Sequence, residues 1–81
     1  MGNGVGIEQE RIGYVIGRNA KRIRKHSFLR QSDVAAAGRI PSQRLSDLER
    51  GAMPNPSSEI VEAVALGLGV SMDELMRRPE A

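Results

Sequence analysis

Residues 16–51, IGRNAKRIRKHSFLRQSDVAAAGRIPSQRLSDLERG, carry apolar residues at helical spacing, broken at Gly38, Pro41 and Gly51. Ile16, Ala20 and Ile23 continue a stripe begun by Ile12 and Val15, spaced as one face of a helix. Gly13 and Gly17 each weaken a helix by about 1 kcal/mol relative to alanine, so its firm part is expected over residues 16–25. Arg18, Lys21, Arg22 and Lys25 then form the opposite, basic face. A second short helix is expected over about residues 31–37, with Val34, Ala35 and Ala37 inward and Gly38 stopping it. Pro41 suits the first turn of a third helix, where the missing N–H costs nothing. That helix runs over about residues 42–50, burying Leu45 and Leu48 one turn apart, and Gly51 ends it.

Outward from this core, Ala52-Met53-Pro54-Asn55-Pro56 reads as a loop. Ser57 or Ser58 caps a fourth helix whose apolar stripe is Ile60, Val61, Val64, Ala65 and Leu68, closed by Gly67 and Gly69. Ser71 followed by Glu74 is a capping box for a short fifth helix reaching about Arg77, and Pro79 ends the fold. On the N-terminal side, the glycine-rich residues 1–7 (MGNGVGI) read as a mobile arm.

Eighty-one residues make one small domain. There is no cysteine to staple it, and Tyr14 and Phe28 are its aromatics, so the core must be aliphatic. Such a core, without β-type alternation, favours an all-α helical bundle. The single histidine, His26, cannot build a metal site or a triad alone. No nucleophile–base pair is visible, so neither an enzyme nor a cofactor is expected. No apolar run approaches the roughly 20 residues of a membrane span. The opening Met1-Gly2-Asn3-Gly4 lacks a secretion-signal pattern, and a cytoplasmic protein is expected. The net charge of +2 is unevenly spread: residues 1–30 sum to +5, residues 31–52 to zero and residues 53–81 to −3. Such polarity fits a nucleic-acid footprint at the basic end, or equally a solvated basic helix face.

Two short helices joined by a tight turn inside a small bundle follow the general helix-turn-helix plan. The residues go further and resemble the helix-turn-helix family of phage repressors, Cro proteins and their bacterial relatives. The resemblance rests on Ile16-Gly17, Arg24, Leu29-x-Gln31, Val34-Ala35 and Glu49-Arg50-Gly51, and continues through PSSEIVEAVALGLGVSMDEL. It implies a five-helix, lambda-repressor-like domain over residues 16–78 behind an N-terminal extension, residues 1–15. Three departures stand out. The family's turn glycine falls at Arg39, with Gly38 one position early, which points to a reshaped turn. Phe28 stands where the family often has glycine, and the loop 52–56 is longer and lacks basic residues.

The resemblance implies a sequence-specific, DNA-binding transcriptional regulator whose third helix enters the major groove of double-stranded DNA. Ser42, Gln43 and Asp47 are the expected base readers, glutamine matching adenine N6 and N7 and aspartate accepting from cytosine N4. Asp47 could instead be paired with Arg39 or Arg44. Gln31, at the start of the second helix, is expected on a phosphate, with Arg30, Arg44, Ser46, Arg18 and Arg22 as further phosphate candidates. Arg44 could alternatively meet a guanine, and Arg18 and Arg22 read equally as surface charge. Arg24 and Glu49 match a pair that links helix one to the end of the recognition helix. A homodimer on a two-fold operator, with half-sites about 34–36 Å apart, is expected, its contacts near Met72, Leu75 and Met76. An antitoxin or restriction-modification controller of the same fold, and a protein-interaction adaptor retaining the fold, stay open as alternatives.

Overall fold

Regular apolar spacing produces helices along the described residues, and what ends each helix sets the architecture. The structure is a computed structural model that describes residues 11–79; the arm expected over residues 1–7 lies outside the described residues. Five helices follow in order: α1 (Ile12–His26), α2 (Gln31–Gly38), α3 (Ser42–Glu49), α4 (Ser58–Leu68) and α5 (Met72–Met76). No strand occurs among the described residues. The fold is therefore all-α.

One aliphatic core joins all five helices. Ile16 and Ala20 from α1, Val34 from α2, Leu45 and Leu48 from α3, Val61, Val64 and Ala65 from α4, and Leu75 from α5 form a single buried cluster. Leu29, Ile40, Met53, Val70 and Met72 pack around it. Ala37, expected inward, is exposed. Leu75, expected among the dimer contacts, is wholly buried within the monomer, leaving Leu66 and Met76 as the exposed apolar side chains of α4 and α5.

α1 starts at Ile12, four positions before the expected onset. The glycines that argued against this first turn are instead what permits it. A Cβ at Gly13 would strike the Met53 and Pro54 carbonyl oxygens, and one at Gly17 the Leu48 carbonyl oxygen. The Gly13 N–H, left unpaired by the helix itself, donates to the Pro54 oxygen at 3.0 Å. The helix-propensity penalty is outweighed because only glycine lets the loop after α3 approach this closely. Gly38 and Gly67 play the same part where α2 crosses α4, lying against the carbonyls of Ala63 and Val34 respectively. Gly38 is thus the last residue of α2 rather than its stop, and Gly67 lies within α4.

Four helices end alike. Just past each lies a residue with left-handed backbone: Phe28 (φ 59°), Arg39 (φ 63°), Gly51 (φ 84°) and Gly69 (φ 73°). Each of these amides, and the one after it, turns back to a late carbonyl of its helix. After α1, Phe28 N–H donates to Lys25 and Leu29 N–H to Arg24, both at 3.1 Å. After α2, Arg39 N–H donates to Ala36 at 3.2 Å and Ile40 N–H to Ala35 at 3.0 Å. The same pairs close α3 through Gly51 and Ala52 and α4 through Gly69 and Val70. This is the Schellman termination. The turn between α2 and α3 is therefore not reshaped: Arg39 adopts the backbone that glycine usually supplies, at about 1–2 kcal/mol.

α5 ends differently. Asn19, buried on α1, donates through Nδ2 to the carbonyl oxygens of Leu75 at 2.7 Å and Arg77 at 2.9 Å. A side chain 56 residues away in sequence thus satisfies the end of a five-residue helix and ties α5 to α1. Ser57 and Ser71 cap the starts of α4 and α5, accepting from Ile60 N–H at 3.3 Å and Glu74 N–H at 3.1 Å.

Candidate nucleic-acid interface

With Leu45 and Leu48 turned into the core, α3 presents Ser42, Gln43 and Arg44 to solvent at its first turn. Ser46 and Asp47 follow on the same helix, half-buried. Gln43 and Asp47 stand one turn apart, and Gln43 Nε2 donates to Asp47 Oδ1 at 2.8 Å. Arg50 reaches back to the same oxygen, from Nε at 3.2 Å and from a terminal nitrogen at 2.8 Å. Hydrogen bonds from Gln43, then from Arg50, hold the Asp47 carboxyl below the ordinary aspartate value. The partner of Asp47 is thus Arg50 rather than Arg39 or Arg44. Arg44 adds only a longer-range attraction. The acid on this face is neutralised by the arginine that follows the last residue of its own helix, and it fixes one N–H of the Gln43 amide.

A second network anchors α3 from behind. Arg24 grips Glu49 with two parallel bonds, Nε to Oε2 at 2.8 Å and a terminal nitrogen to Oε1 at 2.9 Å. The side chains are 12% and 4% exposed. Another Arg24 nitrogen donates to the Leu29 carbonyl oxygen at 2.9 Å, fixing the segment that leads into α2. The Glu49 hydrogen bond raises the Arg24 pKa above the ordinary arginine value, against the opposing effect of burial. Gln31 joins the same carboxylate, donating from Nε2 to Glu49 Oε1 at 3.0 Å. One carboxylate therefore sets three things together: the end of α3, the start of α2 and the C-terminal turn of α1.

At the start of α2, Asp33 accepts the Arg30 backbone N–H at 3.0 Å, and its carboxylate also holds the Arg30 side chain at 3.2–3.3 Å. The Arg30 side chain and then its N–H keep Asp33 below its ordinary value. Arg30 itself remains solvent-facing, with 82% of its side chain exposed. The structure thus brings Gln31, Arg30 and the open face of α3 onto adjoining elements. Arg22 is placed elsewhere: it donates to Asn19 Oδ1 at 3.4 Å and lines a shallow depression with Glu74, Arg77 and Arg78 beside α5. Arg18 is exposed on α1.

Two contributors were not singled out from the sequence. Asn19 sits on the apolar stripe, between Ile16 and Ile23, and a polar residue on a buried face is itself a signal that a partner waits there. Arg50 lies three residues after Asp47, within reach along one helix face.

Comparison with known proteins agrees with this geometry. A helix-turn-helix family model matches residues 21–75, from the middle of α1 into α5. Over 60 residues, 74% of this chain, the sequence is 37% identical to the HTH-type transcriptional regulator DdrOP3 of Deinococcus deserti. That match covers 46% of the relative, so the chain spans about half its length. No solved structure matches the chain. A family match over most of α1–α5, on a five-helix scaffold with the Arg24–Glu49 anchor in place, assigns this chain to the helix-turn-helix family of the Cro and phage-repressor type.

Proposed function

We propose that this protein is a sequence-specific DNA-binding transcriptional regulator that lays α3 in the major groove. The observation that carries the reading is the α3 face itself. Gln43 is solvent-facing near the helix start, with one amide hydrogen fixed on Asp47. Its second amide hydrogen and its carbonyl oxygen are left to match adenine N7 and N6 together. Ser42 beside it accepts or donates. Asp47 positions the glutamine, and its second oxygen can accept from cytosine N4. Arg44 and Ser46 flank these readers toward the phosphates, and Gln31 with Arg30 approaches the backbone from the start of α2, where the helix dipole favours an anion. Arg18 and Arg22 contribute general attraction to the polyanion rather than defined contacts.

A single module of this size reads few bases, so we infer a homodimer on a two-fold site. On α4 and α5, Leu66, 67% exposed, and Met76, 36% exposed, are the exposed apolar side chains that such an interface could use. A protein-interaction adaptor is the competing reading, favoured by the uncharged 52–56 loop and by Asp47 on this face, but Asp47 is already paired with Arg50 of the same chain. Selection of bound sequences from random double-stranded DNA tests the proposal. Enrichment of a symmetric motif containing an adenine at one position per half-site supports it, and recovery of unenriched DNA contradicts it.

A further inference from the structure

Phe28 combines two features that the folded chain does not reward. Its backbone is left-handed, at φ 59°, a conformation unfavourable for a bulky side chain. Its side chain is also 94% exposed, so the ring gains nothing from the core. Leu29, the next residue, packs against the core and completes the termination of α1 without any help from the ring. Glycine at position 28 would serve the monomer better on both counts.

The surroundings identify what the ring faces. Lys25 and His26, both exposed, line a shallow depression with Phe28. Arg30 follows two residues later, and the nearby acid, Asp33, is neutralised by that arginine. Gln31 opens α2 immediately beyond. An exposed aromatic ring beside the Lys25 ammonium, next to the residues that open α2 and at the edge of the surface proposed for DNA, suits a strand that is both anionic and partly apolar.

We propose that Phe28 packs on the deoxyribose edge of the DNA backbone next to the phosphate approached by α2, with Lys25 on a neighbouring phosphate. The footprint would thereby extend beyond the bases read by α3. This inference rests on the DNA-binding reading above. The contact is apolar and independent of sequence, which gives it a signature distinct from both base reading and charge.

The test uses the full chain with four variants, Phe28→Gly, Phe28→Asn, Lys25→Ala and, as the control on base reading, Gln43→Ala. Affinity is measured on the selected operator and on scrambled duplex across a salt series, alongside thermal unfolding and sedimentation. Phe28→Gly is expected to raise the melting temperature while weakening both DNAs roughly fivefold, as expected for losing a few tens of Å² of buried apolar surface. The salt slope should stay unchanged. Phe28→Asn, which tolerates the same backbone, should lose affinity likewise. Lys25→Ala should instead reduce the magnitude of the slope by about 1. Unchanged affinity in both Phe28 variants, with Gln43→Ala still impairing operator binding, overturns this inference alone. A wild type that binds neither DNA overturns it together with the DNA reading. A Phe28→Gly protein that falls from dimer to monomer overturns it in favour of a second copy of this chain as the ring's partner.

Discussion

Glu49 is the residue on which most of the local order converges. Its carboxylate takes two bonds from Arg24 and one from Gln31 while remaining almost wholly out of solvent. Removing it leaves a guanidinium buried without its partner, and Glu49→Ala is expected to cost about 3–5 kcal/mol. Glu62→Ala, on the exposed side of α4, should change stability by no more than about 0.5 kcal/mol. Chemical denaturation of both variants checks the contrast. Asp33 and Asp47 behave differently because each is only partly buried. Their pKa values are lowered in the folded chain, so their contribution is present above the unfolded aspartate value and is lost as pH falls through the folded one. The melting temperature should be flat between about pH 5 and 7 and decline below about pH 4, and Asp47→Asn should make that decline shallower.

At the scale of the helices, the left-handed residue after each of α1 to α4 is the recurring device, and two of the four are not glycine. Arg39→Gly removes the strain of a side chain in that conformation and should stabilise the protein by about 1 kcal/mol. At Gly69 an added Cβ would meet nothing within 4 Å, so Gly69→Ala should destabilise by about the same amount through backbone strain alone. Melting temperatures of the two variants should therefore move in opposite directions. These endings also explain what was legible in the sequence. Gly51 and Gly69 announce theirs, and the apolar periodicity of α3 and α4 and the serine caps of α4 and α5 follow from local chemistry. Phe28 and Arg39 conceal the same termination because neither residue type favours it. The early start of α1 was hidden for the opposite reason: Gly13 and Gly17 read as helix weakeners until the Pro54 and Leu48 carbonyls beside them are seen. The Arg24–Glu49 pairing was legible only through resemblance, since nothing local in either helix specifies a partner 25 residues away. Asn19 and its bonds to the end of α5 emerged only once the helices were packed, whereas the pairing of Asp47 with Arg50, three residues apart along one face, is local and within reach of the sequence.

For the molecule as a whole, the placement of Leu75 in the core moves the inferred dimer surface to side chains that α4 and α5 leave exposed. Leu66→Asp and Met76→Asp should preserve helix content while shifting sedimentation from dimer to monomer and weakening operator binding. Leu75→Asp should unfold the domain outright. The proposed DNA recognition depends on α3 being the element that reads bases, in the register that puts Gln43 outward. The most direct test compares Gln43→Ala with the wild type on selected operator and on scrambled duplex across a salt series. The predicted result is a loss of roughly 1–3 kcal/mol on the operator, relaxed preference at one position per half-site, little change on scrambled DNA and an unaltered salt slope. An equal loss on both DNAs, or none on either, would contradict it.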